Sequence, residues 1–293
     1  MLKPITPNQV IVGKIEDMQL TDTHITQFRE NGYLAIDGFF SSVEAEALRL
    51  ELERIYNTEL EKGTGINCAV QEDGTKRNNE GERQNLQVIP LNNRSDLHKG
   101  LPFNPKVVST VKQLIGDEFM LELDQAFWKP PKVGIGTSWH QDNAYFKIAD
   151  PLRGTAMWIA IHDANIGNGC IHVIPGSHRE SYEHYKDPLS DHHIRCDPPE
   201  ERAVPIELKA GGVLFFCYGV AHCTRSNLSN KERAGVALHF LHNDFGGKEI
   251  WERNNTTKPM ITGPLATGGE KEFGEKYEGR WQELVDSVLT SAR

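Results

Sequence analysis

Long apolar runs are missing from this sequence: none of its 293 residues belongs to a stretch near the roughly 18 needed to cross a bilayer. Basic charge is not in excess either. Against 32 Lys and Arg stand 41 Asp and Glu, a net charge of −9. That balance disfavours a broad nucleic-acid or anionic-membrane surface and leaves room for a local basic pocket. Cysteine is sparse and odd in number: Cys68, Cys170, Cys196, Cys217 and Cys223 form no C-x-x-C pair, so reduced thiols in a cytosol-like compartment are expected. Cys217, His222 and Cys223 lie close together, yet no second thiol pair completes a tetrahedral zinc site. The opening MLKPITPNQVIVGK has neither a long apolar core nor a small-residue cleavage site, and the expectation is a cytoplasmic chain.

What is present changes character along the chain. Up to about residue 116 helix signals dominate. Thr23–Asn31 reads as a helix closed by Gly32, and Tyr33–Ile36 as a strand. Ser41 with Glu44 forms a capping box before a long helix ending near Gly63. Asn104 and Pro105 open another that ends at Gly116. From about 117 to 245, short runs such as LELDQAFW, GTAMWIAI, CIHVIP, GGVLFFCYGV and AGVALHFL alternate with turn signals, the grammar of a β-sandwich or barrel. An amphipathic helix is expected over Phe273–Leu289 in the C-terminal extension from 246 to 293. Two stretches poor in apolar residues, Gly63–Gln87 and Glu180–Arg202, read as surface loops or lids. No internal repeat marks a boundary, and the expectation is one domain over 1–293.

The stretch TSWHQDNAYF holds His140-Gln141-Asp142. On a strand, residues two apart face the same side, so imidazole and carboxylate would share a target while Gln141 points away. Twelve His among 41 acids would give about two His-x-acid triplets by chance; the others are at His178–Glu180 and His242–Asp244. Neighbours must decide. Non-haem iron(II) oxygenases use two His and one carboxylate and leave three positions open. His222, just past an apolar strand, is the candidate third ligand. Arg233, at the opening of the next strand beside Ala234 and Gly235, small residues that leave room for a ligand, is placed to hold a carboxylate bidentately. His178, in a Pro-Gly turn, and His242, with no partner His downstream, read as structural or surface residues. His162, His172, His192 and His193 draw no role.

From about Gln125 to Phe240, TSWHQDNAYF, WIAIHDAN, NGCIHVIPGSH and GVAHCTRSNLSNKERAGVALHF in this order resemble the phytanoyl-CoA dioxygenase family of iron(II)- and 2-oxoglutarate-dependent oxygenases. ITQFRENGYLAIDGFFS is similar to that family's opening helix and strand. The resemblance implies a mainly β fold with flanking helices around a double-stranded β-helix, the cupin-like jelly roll. It implies His140, Asp142 and His222 as the catalytic iron ligands, and Arg233 as the arginine for the distal carboxylate of 2-oxoglutarate, assisted by the Thr224 hydroxyl. Trp158 and Gln125 would line the co-substrate pocket. Tyr145 and Phe146, by their position just past the triad, read either as substrate-facing or as ordinary packing residues. Dioxygen would be the third reactant. Related halogenases lack the acid ligand, so Asp142 favours hydroxylation-type chemistry on a small molecule. The rival readings are a peptide or protein side-chain hydroxylase and a catalytically silent β-helix binding protein.

Overall fold

Local signals place the helices where the sequence reading has them. Thr21 accepts from the His24 amide and caps α1 (Asp22–Asn31), which Gly32 closes at φ 82°. Ser41 and Glu44 form their reciprocal box at the start of α2 (Ser42–Glu61). After α3 (Asp96–Gly100), Asn104 caps α4 (Pro105–Ile115) from ahead of its first-turn proline. The computed structural model describes residues 11–12, 19–62, 67–75, 81–246 and 257–292. Positions 63–66 and 76–80 of the first polar stretch, and 247–256 of the C-terminal extension, lie outside the described residues.

The strands form two sheets. The larger has the order β1 (Ile11–Val12), β2 (Tyr33–Asp37), β11 (Val213–Cys217), β6 (Gly154–Ala160), β13 (Arg233–His242), β4 (Phe119–Lys129), β3 (Leu86–Val88). The smaller has the order β10 (Val204–Ile206), β7 (Ile171–Val173), β12 (His222–Thr224), β5 (Thr137–His140). Beyond the parallel β1–β2 pair, these pairings are antiparallel. This is the jelly roll expected. The helix-rich first part is not separate from it, because β2 and β3 are strands of the larger sheet. A dense apolar core of residues such as Phe28, Leu48, Leu52, Val111 and Phe240 joins helices to sheet.

One boundary differs from expectation. The C-terminal helix does not run through from Phe273. A single turn, α6 (Glu270–Phe273), ends at Gly274, and α7 (Trp281–Ser291) begins seven residues later. Gly274 and Gly279 both take positive φ, which breaks the helical path. Helix α7 packs on α2, where Trp281 Nε1 donates to Glu44 Oε1 at 2.7 Å. Two short strands, β8 (Tyr185–Lys186) and β9 (Ile194–Arg195), form a separate hairpin.

The two polar stretches meet. Val70 N donates to Leu189 O at 2.9 Å and Asp191 N to Cys68 O at 3.1 Å, with Ala69 bridging Ser190. Cys68 and Ala69 are buried, as are the other four cysteines, all of them free.

Candidate active site

β12 and β5 are neighbours, and their register sets His222 directly opposite His140. The two rings lie 4.2 Å apart between centroids. Each Nδ1 is tied to a backbone carbonyl, Ser138 O at 2.8 Å and Val220 O at 3.0 Å. A nitrogen facing a carbonyl carries the proton, which leaves both Nε2 atoms as lone-pair donors. Burial, joined at His140 by the neighbouring His222, pushes both imidazoles down to about 4, so at neutral pH they are uncharged and competent to bind a metal.

Asp142 reaches the same point by a different route from the one expected. Strand β5 stops at His140, and Asp142 has helical φ −57° and ψ −31° at the head of α5 (Asn143–Phe146). The chain turns because Gln141 is pinned away from the site. Its Nε2 donates to Gly219 O at 2.6 Å and Glu180 O at 2.9 Å, and its amide N–H donates to His184 Nε2. Asp142 Oδ1 then lies 3.6 Å from His140 Nε2 and 3.8 Å from His222 Nε2. One ligand atom from each residue falls within 4.8 Å of the others, and all three residues are buried. Among the described residues this is the one cluster of three His, Cys, Asp or Glu side chains with metal-binding geometry.

The triad sits in a cavity of about 610 Å3 lined by both sheets, well within the size of small-molecule sites. Gln125, Tyr145, Phe146, Trp158, Thr224 and Arg233, all drawn from the sequence, line it too.

A family model described as phytanoyl-CoA dioxygenase (PhyH) matches residues 28–235. The chain belongs to the phytanoyl-CoA dioxygenase family. It is therefore an oxidoreductase of the iron(II)- and 2-oxoglutarate-dependent dioxygenase class. It is 27% identical to the phytanoyl-CoA dioxygenase of Arabidopsis thaliana over 80% of this chain and 93% of that protein. It is 26% identical to the ectoine dioxygenase of Bordetella parapertussis, over 77% of this chain and 76% of that one. The crystal structure of EctD from S. alaskensis with 2-oxoglutarate and 5-hydroxyectoine shares the fold, with TM-score 0.61, 20% identity and coverage of 80% on both chains.

Two features of the cavity fit the cofactors of a PhyH dioxygenase. Two neutral imidazole nitrogens and one buried carboxylate oxygen, Asp142 Oδ1, converge on one point, a donor set suited to a divalent cation. Arg233 and Lys129, each 1% exposed, are register partners on β13 and β4. The Lys129 ammonium donates to Thr224 Oγ1 at 2.7 Å and to Arg225 O. Arg233 Nη2 donates to Gly169 O at 2.7 Å, while its Nε is buried and unpartnered. Among the described residues neither cation pairs with a carboxylate. Burial pushes Arg233 down to about 10, and burial with Arg233 nearby drives Lys129 well below its usual value. A bound dianion would relieve both.

The pocket differs in detail from the sequence reading of this PhyH chain. The Thr224 hydroxyl is hydrogen-bonded to Lys129 rather than to Arg233, and it also accepts from Thr137 N at 2.9 Å. The space left by Gly235 is filled by a side chain rather than a ligand, since a Cβ there would fall 2.3 Å from the Trp158 ring. Trp158 in turn stacks on the Arg233 guanidinium, 5.7 Å from its centroid. Tyr145 OH accepts from Ile194 N at 3.0 Å, holding the second polar stretch to α5, and Phe146 stacks on Tyr218.

Lys129, His193 and His239 are polar cavity residues to which the sequence gives no role. Lys129 lay inside a strand-like run where an outward lysine is the ordinary reading. His193 belongs to the second polar stretch, yet is buried against Phe127 with Nδ1 2.8 Å from Ser190 Oγ. His239 sits among apolar residues on β13 and is 4% exposed. Strand alternation carried part of the signal: 233, 237 and 239 share the inward face. His178 and His242 stay outside the cavity, as expected.

Proposed function

We propose that His140, Asp142 and His222 hold iron(II), that Arg233 and Lys129 hold the distal carboxylate of 2-oxoglutarate, and that the enzyme oxidises an unactivated C–H bond of a small molecule. The observation that carries this reading is the pair of buried cations sharing one cavity with the His-Asp-His cluster. When bound, iron(II) supplies dioxygen activation, coupled to conversion of 2-oxoglutarate to succinate and CO2.

The chain's own residues do the positioning. Ser138 O and Val220 O fix the tautomers of His140 and His222, so no proton has to leave the rings before a metal binds. Arg233, stacked on Trp158 and anchored to Gly169 O, presents a preformed fork for a carboxylate. Thr224 acts through Lys129, holding its ammonium toward the cavity. Gln125 forms part of the wall beyond. Tyr145, Phe146, Phe127 and His193 surround the remaining space for substrate. Residues 1–293 act as one catalytic unit in this reading, in the cytoplasm.

The test is anaerobic reconstitution with iron(II) followed by 2-oxoglutarate and oxygen, with succinate as the readout. Succinate should form slowly without substrate and faster with the right small molecule. No succinate from metal-loaded protein across a broad metabolite panel would sink the proposal.

A further inference from the structure

A chain of polar side chains runs along the cavity wall and ends at the carboxylate of the triad. It starts on β3, where Gln87 Nε2 donates to Gln125 Oε1 on β4 at 2.7 Å. With its oxygen engaged, the Gln125 amide offers its N–H groups. Its Nε2, 3.4 Å from His239 Nε2 on β13, is therefore the donor of that contact. His239 Nε2 is then the unprotonated nitrogen, and the ring proton sits on Nδ1. That Nδ1 lies 3.7 Å from Asp142 Oδ2. Both atoms are buried, and neither has a hydrogen-bond partner.

A buried donor and a buried acceptor, each orphaned, thus face each other across a gap that a sub-ångström shift would close. Leaving both unpaired is costly. The ring has little freedom to turn away, since Phe146 packs 5.4 Å and Tyr218 5.9 Å from its centroid. The other carboxylate oxygen, Oδ1, is the one directed at the two imidazoles.

We infer that His239 is a positioning residue, donating from Nδ1 to Asp142 Oδ2 so that the carboxylate binds metal through Oδ1 alone. The inference rests on the iron reading above. Its consequence is a count of open positions. A monodentate acid with two imidazoles leaves three of six sites free, enough for a chelating 2-oxoacid and dioxygen together, whereas a bidentate acid would leave two. Gln125 acts one step further out by fixing the tautomer of His239, as outer-shell partners of metal ligands do.

The test compares wild type with His239→Asn and His239→Phe by anaerobic titration with Fe(II), and with Co(II) as a spectroscopic stand-in. Asn can place an amide N–H where Nδ1 was, while Phe fills the volume without a donor. The Phe variant should bind either metal about 10–100-fold more weakly and change the visible absorption of the Co(II) site, while Asn stays within a few-fold of wild type. Should Phe fail to fold, His239→Gln, whose amide reaches the Nε2 side instead, should show the same loss as expected for Phe. Wild-type affinity and spectrum in the donor-free variant would overturn the inference, as would equal losses in Asn and its counterparts. Wild-type protein that takes up neither metal would instead overturn the iron reading itself.

Discussion

Lys129 and Arg233 stand directly opposite each other on adjacent strands, both buried and both lining the cavity that holds the His-Asp-His cluster. Like charges facing across a sheet are destabilising, and burial aggravates this because water no longer screens them. The fold retains the arrangement at a cost that an anionic ligand would offset. On the proposed reading, 2-oxoglutarate bound between them would remove that electrostatic load.

Arg233→Ala should weaken 2-oxoglutarate binding by about 10–100-fold, the loss of one or more charge-assisted bonds at about 1.5–3 kcal/mol each. Metal affinity should not change, because Arg233 contacts none of the three cluster residues. Calorimetric titration of the metal-loaded protein gives both numbers. An unchanged 2-oxoglutarate affinity would remove Arg233 from the site.

Gly235→Ala places a methyl inside the Trp158 ring, so the indole must move, and with it the surface on which Arg233 stacks. The expected cost is about 1–3 kcal/mol of stability from overpacking, accompanied by weaker 2-oxoglutarate binding. Thermal melting with and without co-substrate separates the two effects. Loss of stability with co-substrate affinity intact would show that Trp158 does not support the guanidinium.

His98 offers a pH signature away from the site. Both of its ring nitrogens are buried without partners, and burial pushes it down to about 4 from 6.5. Between those two values the unfolded chain binds a proton that the folded chain excludes. Stability is therefore complete above about pH 6.5 and falls as pH drops towards 4. His98→Leu should flatten that decline in melts run without metal, by one proton's worth. His140, His222 and His193 contribute with the same sign, so a residual slope should persist. An unchanged slope would count against the neutral buried state of His98.

Tyr145→Phe removes the hydroxyl that accepts the Ile194 amide. A bond of about 0.5–1.5 kcal/mol should give roughly 2–10-fold faster hydrogen exchange across residues 185–197. If this stretch closes over substrate, turnover of 2-oxoglutarate without substrate oxidation should also rise. Wild-type exchange rates would show that the segment is held by its other contacts, such as those of Cys68 and Val70 with residues 189–191.

Helix ends were legible because caps are local. Ser41 with Glu44, and Asn104 with Pro105, act within one turn and need no tertiary context. The failure at Phe273–Leu289 has a local cause too, since an amphipathic pattern can outrun two glycines that take positive φ. His140, Asp142 and His222 are readable because their order and spacing reproduce a family pattern, but strand alternation is not what brings the first pair together. Asp142 is not on the strand of His140; it reaches the cluster from a helix start, because Gln141 is held to the stretch 180–184 and to Gly219.

The residue order alone determined the helix boundaries near their caps, the β grammar after Gly116 and the side chains able to bind a metal, all of which depend on chemistry within a few residues. Tertiary structure alone decided which inward positions meet across strands: Lys129 beside Arg233, His239 beside Asp142, His193 folded into a cavity wall. These pairings join residues up to 104 positions apart (129 and 233). Alternation along one strand shows which side chains face inward, but which strands pair, and so which inward positions meet, depends on the whole sheet.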